Sequence, residues 1–310
     1  MHQLNHRARV LCQRLIGEAE SIGVTVSRAD CGTTIIDCGV AAPSGTDAGL
    51  RLAEICLAGL GAVDVAPPRI NEHPSIAVAT ADPVAACLAS QYAGWEIKGE
   101  DFFAMGSGPM RAAAGNEDVF AAIGHRESPY HCVGVLESGK LPPDDTCQMI
   151  AVTCGIEAER LTLLVAPTRS PAGTLQIVAR SVETALHKLH ELRFDLSRLE
   201  SGRGQAPLPP AADNDLAAIG LTNDAILYGG EVVLELHGDD ESLKQIGPQV
   251  PSCASHDHGR PFAEIFARYD HDFYAVDPHL FSPAVITLQN IDTGNTFRYG
   301  ELAPAVLAES

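Results

Sequence analysis

Ser170-Pro171-Ala-Gly-Thr-Leu175-Gln-Ile-Val178-Ala-Arg180-Ser-Val182-Glu183-Thr-Ala185-Leu-His187-Lys-Leu189-His-Glu-Leu192 places apolar residues at 175, 178, 182, 185, 189 and 192. That unbroken three-four alternation predicts one long helix over 171–192 with one face laid on a core. Ser170 is a suitable N-cap, and Pro171 suits the first helical position, where a missing N–H costs nothing. At about 100° per residue, Arg180, Glu183 and His187 fall on the side away from the apolar stripe. Arg180 and Glu183 are then roughly 60° apart and are helix neighbours. By periodicity alone they form a solvated ion pair, contributing about 0.2–0.5 kcal/mol. The pair acquires another meaning only if something covers that outer face.

Strands and helices alternate on both sides of this segment. Leu4, Ala8, Leu11, Leu15 and Ile22 mark a first amphipathic helix ending near Gly23. Val24–Val26 and Thr33–Ile36 read as short strands, and Ser75–Thr80, His131–Leu136 and Leu161–Ala166 as buried ones. Ala284–Asn290 and Thr296–Tyr299 form a hairpin turned through Asp292-Thr-Gly-Asn295. The rhythm is too irregular for a doubly wound or barrel fold, so the class is mixed α/β. Residues 200–213 hold Gly202, Gly204, Pro207, Pro209 and Pro210 and read as a linker without regular structure. The expected division is residues 1–200, including the long 171–192 helix, and residues 214–310 as a second α/β portion.

Hydrophobic residues make up 45% and charged residues 20% of the 310, enough apolar material for sizeable cores. Forty acidic against 21 basic residues give a formal charge of −19, which opposes binding to nucleic acid or an anionic membrane surface. No apolar run approaches the ~18 residues of a membrane span, and no secretory signal opens the chain, so a cytoplasmic location is expected. The nine cysteines include no CxxC and several sit among apolar neighbours, as reduced, buried small hydrophobes would.

Three constellations could carry chemistry. Met105-Gly-Ser-Gly-Pro-Met-Arg111 is a strand–glycine loop–helix junction whose backbone suits a close ligand or an anion. It lacks the third glycine of a dinucleotide fingerprint and the Lys-Ser/Thr of a P-loop, and a tight structural turn explains it equally well. His256-Asp257-His258 offers metal-ligand types, but in a loop-like segment without helical ligand spacing. Asn223-Asp224-Ala-Ile-Leu-Tyr228-Gly-Gly puts polar groups at the entry to a strand and backbone freedom at its exit, as a cleft edge or a turn with a bulge would.

Taken together, Ala89-Ser-Gln-Tyr92-Ala-Gly-Trp95, Met105–Arg111, Arg180-Ser-Val-Glu183 and Asn223–Gly230 resemble methenyltetrahydromethanopterin cyclohydrolases. Thr34-Ile-Ile-Asp-Cys-Gly39 and Ala53-Glu-Ile-Cys-Leu-Ala-Gly-Leu-Gly61 fit the same resemblance, which runs in order over nearly the whole chain. It implies two α/β domains with a pocket between them, a homotrimer, and no metal or separate cofactor, the pterin being the substrate. It also implies reversible hydrolysis of a cyclic amidine in one-carbon and formaldehyde metabolism. Glu183 would be general base on water and Arg180 its orienting partner. Gly106, Ser107, Gly108, Arg111, Tyr92, Trp95, Asn223, Asp224 and Tyr228 would be candidate substrate contacts. The rivals are a metal-dependent hydrolase centred on His256, Asp257 and His258, and a non-catalytic pterin-binding protein.

Overall fold

The computed structural model describes residues 2–70 and 72–309. Its strands in chain order are β1 (Thr25–Arg28), β2 (Thr34–Asp37), β3 (Gly61–Ala66), β4 (Ser75–Thr80), β5 (Trp95–Lys98), β6 (Phe103–Ser107), β7 (Cys132–Glu137), β8 (Leu161–Ala166), β9 (Leu199–Pro207), β10 (Glu231–Leu236), β11 (Val285–Asn290) and β12 (Thr296–Gly300). The helices that matter below are α1 (Leu4–Ile22), α2 (Thr46–Cys56), α3 (Met110–Ala114), α4 (Val119–Ile123), α5 (Asp144–Thr153), α6 (Pro171–Val178), α7 (Ser181–Glu191), α8 (Asp215–Gly229), α9 (Asp240–Ile246) and α10 (Phe262–Arg268). The chain folds into two compact units, each discontinuous in sequence: Met1–Gly61 with Ala85–Ile177, and Ala62–Val84 with Val178–Ser310. The fold is mixed α/β, with one six-stranded sheet in each unit.

In the first unit the order is β1-β2-β8-β7-β6-β5. β8 runs parallel to both β2 and β7, while β1, β5 and β6 extend the sheet antiparallel. Its sequence, Leu-Thr-Leu-Leu-Val-Ala, is apolar on both faces, as a parallel strand covered on both sides requires. Alternation then divides the core in two. Ile36, Val133, Val135 and Leu164 pack with Ala8, Cys12 and Leu15 of α1 and Leu52 and Ile55 of α2. Ile35, Leu136, Leu163 and Val165 face Met110 of α3 and Cys147 and Ile150 of α5.

The second unit orders its strands β12-β11-β10-β9-β4-β3, with β10 parallel to β11 and antiparallel to β9. Only one face of β10 is apolar: Val232, Leu234 and Leu236 are buried. The other carries a polar lattice in which Arg203 meets Glu235 and Gln289, and Glu231 meets Gln205 and Arg298. Beside the sheet, Leu227 and Tyr228 of α8 pack on Phe262, Ile265 and Phe266 of α10 and on Val276 and Leu280.

Three expectations are corrected. The single helix over 171–192 is two helices, α6 and α7, separated by a turn at Ala179-Arg180. Neither proline nor glycine causes the break. It falls where the chain leaves one unit for the other, and each half answers to its own core. Residues 200–213 are not a structureless linker, because β9 occupies Leu199–Pro207 and pairs with both β4 and β10. Its glycines and proline reflect what packs on the strand, not disorder. Asn223–Tyr228 lies in α8, whose N-cap Asn214 accepts from Ala217 N, and not at the start of a strand. The apolar run Ala-Ile-Leu-Tyr has no period that separates the two readings. By contrast, the hairpin β11–β12 and the Ser170 cap, which accepts from Gly173 N at 3.0 Å, match expectation.

Candidate active site

The candidate residues Arg180 and Glu183 lie at the start of α7. Arg180 has φ −89° and ψ 8° and occupies the N-cap position, and its carbonyl accepts from Thr184 N at 2.9 Å. Glu183 is the third helical residue, inside the first turn, where the helix dipole favours negative charge. Both side chains are buried, Arg180 5% and Glu183 4% exposed. The solvated ion pair that periodicity suggests is therefore not what the structure holds. Burying two ions costs several kcal/mol each unless their polar atoms are matched.

The helix start is seated closely on the sheet of its own unit. Val182 and Ser181 lie against Gly202 and Gly204 of β9, where side chains of any size would intervene. Further along, buried Lys188 donates from Nζ to the His279 carbonyl at 2.5 Å. Desolvation pushes its ammonium down to about 8, an effect that Asp277 partly offsets.

In the first unit the glycine loop is a tight, well-bonded turn. Gly106 and Ser107 belong to β6, and Gly108 has φ +84°, a conformation that L side chains rarely adopt. Gly108 N donates to Ser90 O at 2.8 Å. Arg111 is 0% exposed. Its Nε and Nη2 reach the Glu117 carboxylate at 2.7–3.1 Å, and Nη1 reaches Leu88 O and Ser90 O at 2.9 and 3.2 Å. Its guanidinium also lies 4.9 Å from the Tyr92 ring centre. Arg111, Tyr92, Ser90 and the loop are thus brought together as one cluster. Trp95 starts β5 half-buried, against the α3–α5 core.

In the second unit Asp224 is buried and accepts from Phe262 N at 2.7 Å, capping α10. Asn223 donates to Ile219 O within its own helix. Buried Tyr228 donates to Arg260 O at 2.5 Å and accepts from Gly259 N, and burial raises its phenol above the ordinary range. The His256-Asp257-His258 triplet is also engaged. His256 is 74% exposed and lies 3.1 Å from Asp277, Asp257 accepts from Tyr269 Oη at 2.9–3.1 Å, and the His258 ring lies 5.0 Å from that of Tyr228. Among the described residues, no group of three or more His, Cys, Asp or Glu is arranged to hold a metal ion.

Two acids at the C-terminal ends of parallel strands were not singled out from the sequence as site candidates. Asp37 closes β2, and its two oxygens accept the backbone N–H groups of Gly39, Val40, Ala41 and Ala42 at 2.6–3.1 Å. Glu137 closes β7 and accepts from buried Gln176 of α6 at 3.2 Å. Their signal was an acid directly after an apolar run, at the strand end where α/β folds place ligands. A cavity of about 630 Å³ also opens between the start of α1 and residues 126–131, but none of the candidate residues lines it.

The family model described as Cyclohydrolase (MCH) matches residues 3–310. Proteins named methenyltetrahydromethanopterin cyclohydrolase are similar over the same span. That of Xanthobacter autotrophicus is 47% identical, covering 97% of this chain and 90% of its own length. That of Methylobacterium organophilum is 45% identical, covering 99% and 97%. This chain belongs to the MCH cyclohydrolase family. The similarity extends to the protein of that name from Methanosarcina mazei, 38% identical over 100% of this chain and 98% of its own length.

Proposed function

We propose that this enzyme hydrolyses the cyclic amidine of 5,10-methenyl-tetrahydromethanopterin, or its dephospho form, to the 5-formyl compound, reversibly. What carries the reading is the burial of Arg180 and Glu183 together at one helix start in a member of this family. The substrate spreads a positive charge over N–C–N, so its bridging carbon is already electrophilic. The reaction then needs a positioned water and an acceptor for its proton. Glu183 takes that proton as water adds to the carbon, and its negative charge favours the cationic substrate. Collapse of the adduct breaks one C–N bond, leaves the formyl group on N5 and releases one proton overall. Arg180 fixes the carboxylate orientation with its planar donors.

In this reading Arg111 holds the loop around Leu88–Ser90 and the glycine turn in shape, and the substrate contacts that loop through its backbone. Tyr92 and Trp95 offer the faces on which a pterin ring stacks. Asn223, Asp224 and Tyr228 act as support within the second unit, through α8. A homotrimer in the cytoplasm, without a separate cofactor, completes the proposal. The test is spectrophotometric: methenyl-pterin absorbance is expected to fall on adding enzyme, well above the buffer-catalysed rate. Binding without turnover would make this a pterin carrier, and turnover that tracks a stoichiometric bound metal would favour the His256-centred rival.

A further inference from the structure

The two glycines of β9 are the least explained feature of the second unit. Gly202 and Gly204 stand on the strand face toward α7, each paired on both sides: Gly202 with Thr80 of β4 and Leu234 of β10, Gly204 with Val78 and Val232. Glycine within a strand weakens it, and its usual reason is the close approach of something else. Neither residue has a positive φ, so an L side chain meets no backbone obstacle at either position. The obstacle is the start of α7. A Cβ at 204 would lie 2.6 Å from Ser181 Oγ, 3.0 Å from Val232 Cγ2 and 3.1 Å from Val182 Cγ2. A Cβ at 202 would lie 2.8 Å from Val182 Cγ1 and 3.2 Å from Leu234 Cδ2. Ser181 is 0% exposed, and its Oγ finds no hydrogen-bond partner among the described residues. That hydroxyl is tolerated against the bare strand, which a helix free to sit elsewhere would not need to tolerate.

We infer that Gly204, with Gly202, is a positioning residue for the hydrolysis, setting the height of the first turn of α7 and with it the place of Arg180 and Glu183. The inference rests on the assignment of those two residues. The chain of contact is short: Gly204 bears on Ser181 and Val182, which lie between Arg180 and Glu183 in sequence. A side chain at 204 lifts that turn by a few tenths of an ångström or more, and displacements approaching 1 Å cost up to about 100-fold in rate.

The test compares Gly204→Ala with the double variant Gly204→Ala/Ser181→Gly, which removes the side chain the new methyl strikes. Gly204→Ala is expected to lower kcat at least about tenfold with KM nearly unchanged, and the double variant to recover most of the loss. Gly17→Ala, at a position with nothing within 4 Å, is the control expected to keep wild-type turnover. If Gly204→Ala does not fold, Gly202→Ala with Val182→Ala as its relief asks the same question. A folded Gly204→Ala enzyme with wild-type kcat overturns the inference, and so does a loss the double variant leaves in place. If instead Glu183→Gln keeps full turnover, it is the functional assignment that fails, whatever the glycine variants show.

Discussion

Taking a guanidinium and a carboxylate out of water costs several kcal/mol per ion, so Arg180 and Glu183 occupy their buried positions against a steep gradient. Arg180 occupies the N-cap position of α7 and Glu183 sits in its first turn. If a planar fork orients the carboxylate, Arg180→Lys, which keeps the charge and loses the fork, is expected to lower kcat by about 10- to 100-fold, measured by loss of methenyl absorbance. A silent Arg180→Lys would return the pair to an ordinary ion pair. Lys188, on the same helix, gives a pH prediction. Its folded-state pKa is lowered by desolvation from an ordinary 10.5 to about 8. Between pH 8 and 10.5 the unfolded chain therefore binds the proton that the folded one has released, and stability rises with pH in that window. Below pH 8 the full penalty is present, on the order of 3 kcal/mol. Denaturant titrations of wild type and Lys188→Met are expected to show the wild type gaining on the variant from pH 8 upward. Parallel curves would contradict the buried ammonium.

Among the elements, α8 and α10 show how candidate site residues can act as scaffold. Asp224 accepts from Phe262 N at the start of α10, and that helix carries Phe262 and Phe266 into the aromatic cluster with Tyr228. Asp224→Ala removes a buried cap and is expected to destabilise the second unit by about 1–2 kcal/mol, read as a lower midpoint in thermal or denaturant unfolding. An unchanged midpoint would free Asp224 for a direct substrate role. The α6–α7 break belongs to this scale too. The three-four period from Leu175 to Leu192 runs straight through it, because periodicity records which residues face a core but not that two cores are involved. The glycines and proline of β9 misled in the opposite sense: composition says loop, whereas pairing with β4 and β10 makes a strand. Central strands such as β8 were legible because burial on both faces leaves an uninterrupted apolar run.

For the whole molecule, the sequence carried the mixed α/β class. It did not carry the discontinuous division into units, because strand pairing between distant segments leaves no local trace. Cysteine usage was legible in outline, as mostly buried thiols: Cys12, Cys38, Cys56, Cys87, Cys132, Cys147 and Cys154 are buried, Cys31 is half-buried and Cys253 exposed. Thiol titration of the native enzyme is expected to modify Cys253 promptly and Cys31 more slowly. The other seven should react only on unfolding. Prompt reaction of all nine would contradict the described cores.

With Glu183 proposed as the base, the most direct measurement is the turnover and substrate affinity of Glu183→Gln on methenyl-tetrahydromethanopterin. The amide keeps the size of the side chain but accepts no proton at neutral pH. The expected result is a folded protein that binds substrate near-normally and turns it over about 10²- to 10⁴-fold more slowly. Near-wild-type turnover would contradict the assignment of Glu183 as the base.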